Sequence, residues 1–135
     1  MLRPLALTLC LAAGAALAQA ADTPGDPATG TARFTLTSAA FSPGGMLEHE
    51  QVFNGFGCDG KNVSPALAWK NAPAGTKSFA LMVHDPDAPT GSGWWHWVVY
   101  DIPADVAALP AGAGAADGSK LPAGAKHGVT DFGTA

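Results

Sequence analysis

Basic residues are scarce in this sequence. Seven Lys and Arg stand against eleven Asp and Glu in 135 residues, for a net charge of -4. The positive charges are scattered and form no cluster, so the electrostatic footprint of a nucleic-acid-binding protein is missing. Cysteine is nearly absent, with Cys10 and Cys58 the only two. No G-x-S-x-G nucleophile elbow occurs. The acidic and imidazole side chains lack a recognisable metal-ligand spacing, so no metal site is expected. No periodic repeat, no long amphipathic helix and no need for a cofactor can be read from the chain.

Only one apolar run is long, and it stands at the start. "MLRPLALTLCLAAGAALAQA" has a basic residue at Arg3, an apolar core from Leu5 to Leu17, and Ala18-Gln19-Ala20. This is the layout of a secretory signal peptide over residues 1–20, cleaved after Ala20. The run is short for a bilayer span. Cys10 lies inside it rather than at its end, which argues against a lipid anchor. A periplasmic or secreted product with no stable membrane anchor is therefore expected. It would carry a net charge of -5 and retain Cys58 alone, an unusual state in an oxidising compartment.

Residues 21–32, "ADTPGDPATGTA", have two prolines and no large apolar group, and read as a disordered lead-in. From residue 33 the pattern changes. "RFTLTS" alternates as a half-buried strand does. "SPGG" is turn chemistry, and "EHEQVFNGFGCDGKNVSP" reads as a long irregular loop. "ALAW", "KSFALMVH" and "WWHWVVYDI" read as strands, and "ADVAAL" as one possible helical turn. The remainder is Gly, Ala and Pro. Short strands joined by turns predict an all-β domain over residues 33–135, a two-sheet sandwich.

The chemistry concentrates in "HDPDAPTGSGWWHWVVYDIP", residues 84–103. With the strand period of two, Phe79, Leu81, Val83 and Asp85 share the apolar face, and His84 points the other way to solvent. On the next strand Trp94, His96, Val98 and Tyr100 share one face, and Trp95, Trp97 and Val99 the other. This places His96 between Trp94 and Val98, enclosed. A carboxylate ending an apolar stripe requires a polar partner. Asp85 beside an imidazole walled by tryptophan can hold an anion through charge-assisted hydrogen bonds. The connection is stiff at Pro86 and Pro89 and pliable at Gly91 and Gly93. Ala88-Pro89 is a candidate cis bond. Read alone, the motif also fits an ordinary Asp-Pro turn, a structural histidine and an aromatic core cluster, and an enclosed lone histidine is more often structural than functional. His49 and His127 sit in polar loop surroundings and are given no role.

"CDGKNVSPALAW" followed by "PAGTKSFALMVHDPDAPTGSGWWHWVVYDIP" resembles the phosphatidylethanolamine-binding protein (PEBP) family. It is most similar to the bacterial Raf kinase inhibitor-like branch of YbhB/YbcL type. D-P-D-A-P followed by W-x-H on a strand is the signature, and "HGVTDFGTA" resembles the approach to a second one. The resemblance implies a β-sandwich with a small anion pocket built from Asp85, the loop rim Ala88 and Pro89, Trp94 and His96. The implied ligand is phosphate or a phosphorylated head group. It also implies a chain truncated at the C-terminus, because the family continues with a segment carrying a second pocket histidine and a tyrosine. In the bacterial branch that segment often carries a cysteine that could pair with Cys58. The expected function is an exported anion-binding protein without catalysis, with an unidentified protein target and inhibition as a variant of that reading. The alternatives are a hydrolase using Asp85 and His96 as an acid-base pair, with Ser92 within reach, and a fragment without function.

Overall fold

The computed structural model describes residues 32–134. The expected signal segment, and the lead-in up to residue 31, lie outside the described residues. Six strands are present: β1 (Thr35–Ser38), β2 (Leu67–Lys70), β3 (Ser78–Asp85), β4 (Trp94–Pro103), β5 (Ala108–Leu109) and β6 (Lys126–His127). They form two antiparallel sheets, ordered β1-β2-β5 and β3-β4-β6. There is no helix among the described residues.

The strands arise where side chains alternate. In β2, Leu67 and Trp69 are buried while Ala68 and Lys70 are exposed. In β4 the buried side chains are Trp97, Val99 and Ile102. Together with Leu109 and Ala113 they make one core between the sheets, and Phe41, Phe79, Leu81, Val106 and Leu121 pack against it. The Trp69 and Phe79 rings meet across the sheets at 5.4 Å. Val83 was expected inside but is 37% exposed. It sits opposite Trp97, near the end of the sheet, where less of the core lies above it.

"ADVAAL" makes no helical turn. The Val106 amide donates to the Pro103 carbonyl at 3.0 Å, which turns the chain tightly. Ala108 and Leu109 then pair with Ala68 and Leu67 as β5. The Ala88–Pro89 bond is trans, contrary to the cis expectation. The Thr90 amide reaches the Ala88 carbonyl at 2.7 Å, a tight three-residue turn centred on Pro89 that its fixed φ suits.

The feature that matters most for the site is irregularity in β4. Met82 pairs with Val98 and Val83 with Trp97, but His84 then pairs with Trp95 and Asp85 with Trp94. One residue of β4, His96, is therefore surplus to the ladder, which is a β-bulge. A second bulge lies between the Phe79–Ile102 and Leu81–Val99 pairs. There Asp101 takes a left-handed φ of 57°. Lys126 donates to its carboxylate at 3.0 Å, and this bond and charge hold the Lys126 ammonium above its ordinary pKa.

His127 is not a bland loop residue. Its Nδ1 accepts from the Trp97 indole N–H at 3.3 Å, and its Nε2 donates to the Ala115 carbonyl at 3.0 Å. This assigns the Nε2–H tautomer and ties β6 to the core tryptophan. β1 and β3 are the outer strands on one side. Between them opens an apolar groove of about 290 Å³, lined by Phe34, Leu36, Trp69, Phe79, Leu81 and Ile102 among others.

Candidate functional site

The bulge decides where the site residues point. Strict alternation assigns Trp94 to the face of Val98. The extra residue shifts the phase, so Trp94 lies opposite Asp85, on the side of Val83 and Trp97. His96 Nε2 stands 3.9 Å from Asp85 Oδ2. That distance is an ion-pair contact and too long for a direct hydrogen bond. The other carboxylate oxygen, Oδ1, accepts from the Asp87 amide at 2.9 Å. Asp85 thus orders the start of its own loop with one oxygen and faces His96 with the other.

The pair is open. The His96 and Asp85 side chains are 39% and 46% exposed, so the expected enclosure of His96 is corrected: the bulge lifts it out of the core stripe rather than seating it between Trp94 and Val98. Asp85, Trp94 and His96 come together. Ala88 and Pro89 sit on the connection, half-buried and exposed respectively, with the Ala88 carbonyl engaged by Thr90. His84 is exposed as expected. Its ring packs on Trp95 at 4.2 Å, and its Nε2 donates to the Ser92 carbonyl at 3.2 Å, which ties down the Gly-rich end of the loop.

Four further residues complete the site, and no periodicity pointed to them. Asp131 clamps the bulge from outside: the Trp95 amide donates to its Oδ2 at 2.7 Å, and its own amide donates to the Trp95 carbonyl at 3.2 Å. The residue that follows it, Phe132, lies against Trp94 and His96. The Phe132 ring meets Trp94 edge-on at 5.3 Å and His96 at 5.6 Å. The same ring also meets Phe53 at 4.9 Å and Phe56 at 6.3 Å. In "DFGTA" no alternation marks Asp131 or Phe132; the segment carries only the family resemblance. Phe53 and Phe56 lie in a glycine-rich loop remote in sequence, where side-chain patterning carries no signal.

Asp131→Ala is expected to remove the side-chain half of this clamp. The acceptor is charged but exposed, so the loss is about 1 kcal/mol in unfolding free energy. Tryptophan emission should change as Trp94 and Trp95 loosen. Unchanged emission and stability would show that the backbone bond alone holds Phe132.

The sequence pattern of the family described as phosphatidylethanolamine-binding protein matches residues 37–135. The chain belongs to the PEBP family. Two relatives from Escherichia coli K12 place it near the bacterial YbcL/YbhB branch. YbcL is 58% identical over 104 residues, covering 77% of this chain and 57% of that protein. YbhB is 54% identical over 98 residues, covering 73% and 61%. The crystal structure of E. coli YbcL, titled a new member of the mammalian PEBP family, superposes with a TM-score of 0.74 at 58% identity, over 76% of this chain and 62% of that one. A PEBP homologue from Chlamydia trachomatis superposes with a TM-score of 0.60 at 31% identity, over 74% and 60%. The fold is thus the PEBP fold. The chain spans about three-fifths of the length of these relatives.

Proposed function

We propose that this chain is an exported binding protein for small anions, with phosphate or a phosphorylated head group received at His96. The observation that carries the reading is the solvent-open Asp85–His96 pair at 3.9 Å, with the second Asp85 oxygen already committed to its loop. An imidazolium backed by a carboxylate donates to an anion without being satisfied by the backbone. Phe132 stands beside the pair, its ring 5.6 Å from that of His96, and a hydrogen bond to an ionised group gains strength next to apolar surface. The family name, phosphatidylethanolamine-binding protein, agrees with a phosphate ligand. Export rests on the pattern of the first twenty residues.

The test is a binding titration with inorganic phosphate. Saturable binding of phosphate to the native chain is expected. His96→Gln keeps a donor but loses the charge, and should cost about tenfold or more, in line with about 1.5–3 kcal/mol for a hydrogen bond to a charged group. Affinity that is indifferent to His96→Gln would sink the reading. Turnover of a model phosphate or acyl ester, lost in the same variant, would replace it with the hydrolase reading.

A further inference from the structure

We infer that the outer edge of β3 is an interface for a second copy of this chain, pairing β3 with β3 antiparallel across a two-fold axis. The inference is independent of the anion reading. β3 is the outer strand of its sheet and runs for eight residues. The other outer strands are shorter, four residues in β1 and two each in β5 and β6. Among the described residues the β3 backbone bonds to β4 alone. The amides and carbonyls turned away from β4 are therefore a template for a further strand.

Edges are ordinarily blunted by a bulge, a proline or a charge in mid-strand. β3 has none of these. Both irregularities of the β3–β4 pair place the surplus residue on β4: one β3 residue lies between Phe79 and Leu81, where β4 fits two between Val99 and Ile102, and His96 is the other. β3 itself runs on without a bulge. "SFALMVH" holds no proline and no Asp, Glu, Lys or Arg. Charges stand only at its ends, Lys77 just before the strand and Asp85 as its last residue.

That distribution makes the edge complementary to itself. Directly opposed residues of an antiparallel pair point to the same face, so Phe79, Leu81 and Val83 have to oppose their own set. With the axis at Leu81, Leu81 meets Leu81 and Phe79 meets Val83 of the second copy. Lys77 then meets Asp85 at both ends. A slip of two residues sets Phe79 against Asp85 in one direction and Lys77 against Val83 in the other. Charge thus selects one register. Lys77 is exposed, and the ion pairs among the described residues leave it out.

The apolar groove between β1 and β3 opens beside this edge, with Phe34 45% and Leu36 55% exposed. A two-fold axis normal to the sheet keeps both inner faces on one side, so each copy brings its Phe79 and Leu81 towards the groove of the other. The contact is isologous and closes at two copies. The opposite edge of the sheet is β6, too short to continue the ladder.

The experiment is sedimentation velocity of the full chain over about 1–100 µM, a range open to an interface of modest size. A monomer passing to a dimer, with nothing larger, is expected. Two double variants read the edge. Ala80 and Met82 are exposed, lie on the face opposite Phe79 and Leu81, and oppose each other in this register. Ala80→Lys/Met82→Lys sets like charges opposite each other and should weaken the dimer about tenfold or more, whereas Ala80→Lys/Met82→Glu should keep it. Urea unfolding checks that both variants fold. Hydrogen exchange of the native chain gives a second reading: the β3 amides turned away from β4 should slow as concentration rises. A monomer at every concentration with a fast-exchanging β3 edge overturns the inference. A monomer whose β3 edge is protected at every concentration shows the edge taken by a segment of the same chain and overturns the second copy. A dimer that Ala80→Lys/Met82→Lys leaves intact overturns β3 as its interface. Equal loss in both double variants overturns the register. Open-ended assemblies overturn the two-fold closure.

Discussion

Ile102→Ala is expected to lower the unfolding free energy by about 2–5 kcal/mol, the range for emptying a buried aliphatic site. Ile102 is fully buried, and it is one of only seven buried apolar residues among those described. A domain of this size has about 5–15 kcal/mol of stability in total. One deletion can therefore consume a large share of it. The position is also hard to repack, because Ile102 follows the Asp101 bulge and pairs with Phe79, whose ring already leans on Trp69 and Phe34. Equilibrium urea unfolding measures the effect as a fall in midpoint at constant slope. Met82→Ala is the control. Met82 is 60% exposed, and its loss should stay within about 0.5 kcal/mol. Similar losses for both would mean that the core is not where the burial places it.

Gly93→Ala should cost about 2–5 kcal/mol and abolish the phosphate binding proposed above. Two penalties combine. Gly93 has a φ of 78°, and a side chain in that region costs about 1–2 kcal/mol. An added Cβ would also lie 2.6 Å from the Asp85 carbonyl oxygen and against the His84 ring. Backbone cannot move aside as a flexible side chain can, and overpacking of this kind costs about 1–3 kcal/mol. The strain falls where Asp85 pairs with Trp94, so the carboxylate moves relative to His96. Gly91→Ala separates the two penalties. Gly91 has a φ of 83° with open space around it, so only the backbone cost applies and binding should persist. A Gly93→Ala protein as stable as its parent, with intact phosphate binding, would show that the turn relaxes freely.

The strands that carry the site were legible because apolar residues alternate along them, as in Phe79, Leu81 and Val83. β5 and β6 were not legible. Each is two residues long, and each exists because a longer neighbour supplies bonds to it. The pairing of Asp85 with His96 could be anticipated from their strands. The exposure of His96 could not, because alternation assumes a register that a bulge breaks, and nothing local in "WWHWVV" marks the surplus residue. The aromatic half of the site escaped for another reason. Phe53, Phe56 and Phe132 belong to loops, where a residue's neighbours are chosen by turns and amide bonds rather than by a repeating face.

The surplus at position 96 has a consequence for length variation. Every pair from Met82–Val98 to Asp85–Trp94 is made by residues other than His96. A chain lacking that one residue could close the same ladder with the same partners, and with a more regular strand. Insertions usually accumulate at loop tips, where they cost little. Here the extra residue sits in mid-strand between two tryptophans, and it is the imidazole itself. The sheet can be assembled without it, so folding alone gives no reason to keep it.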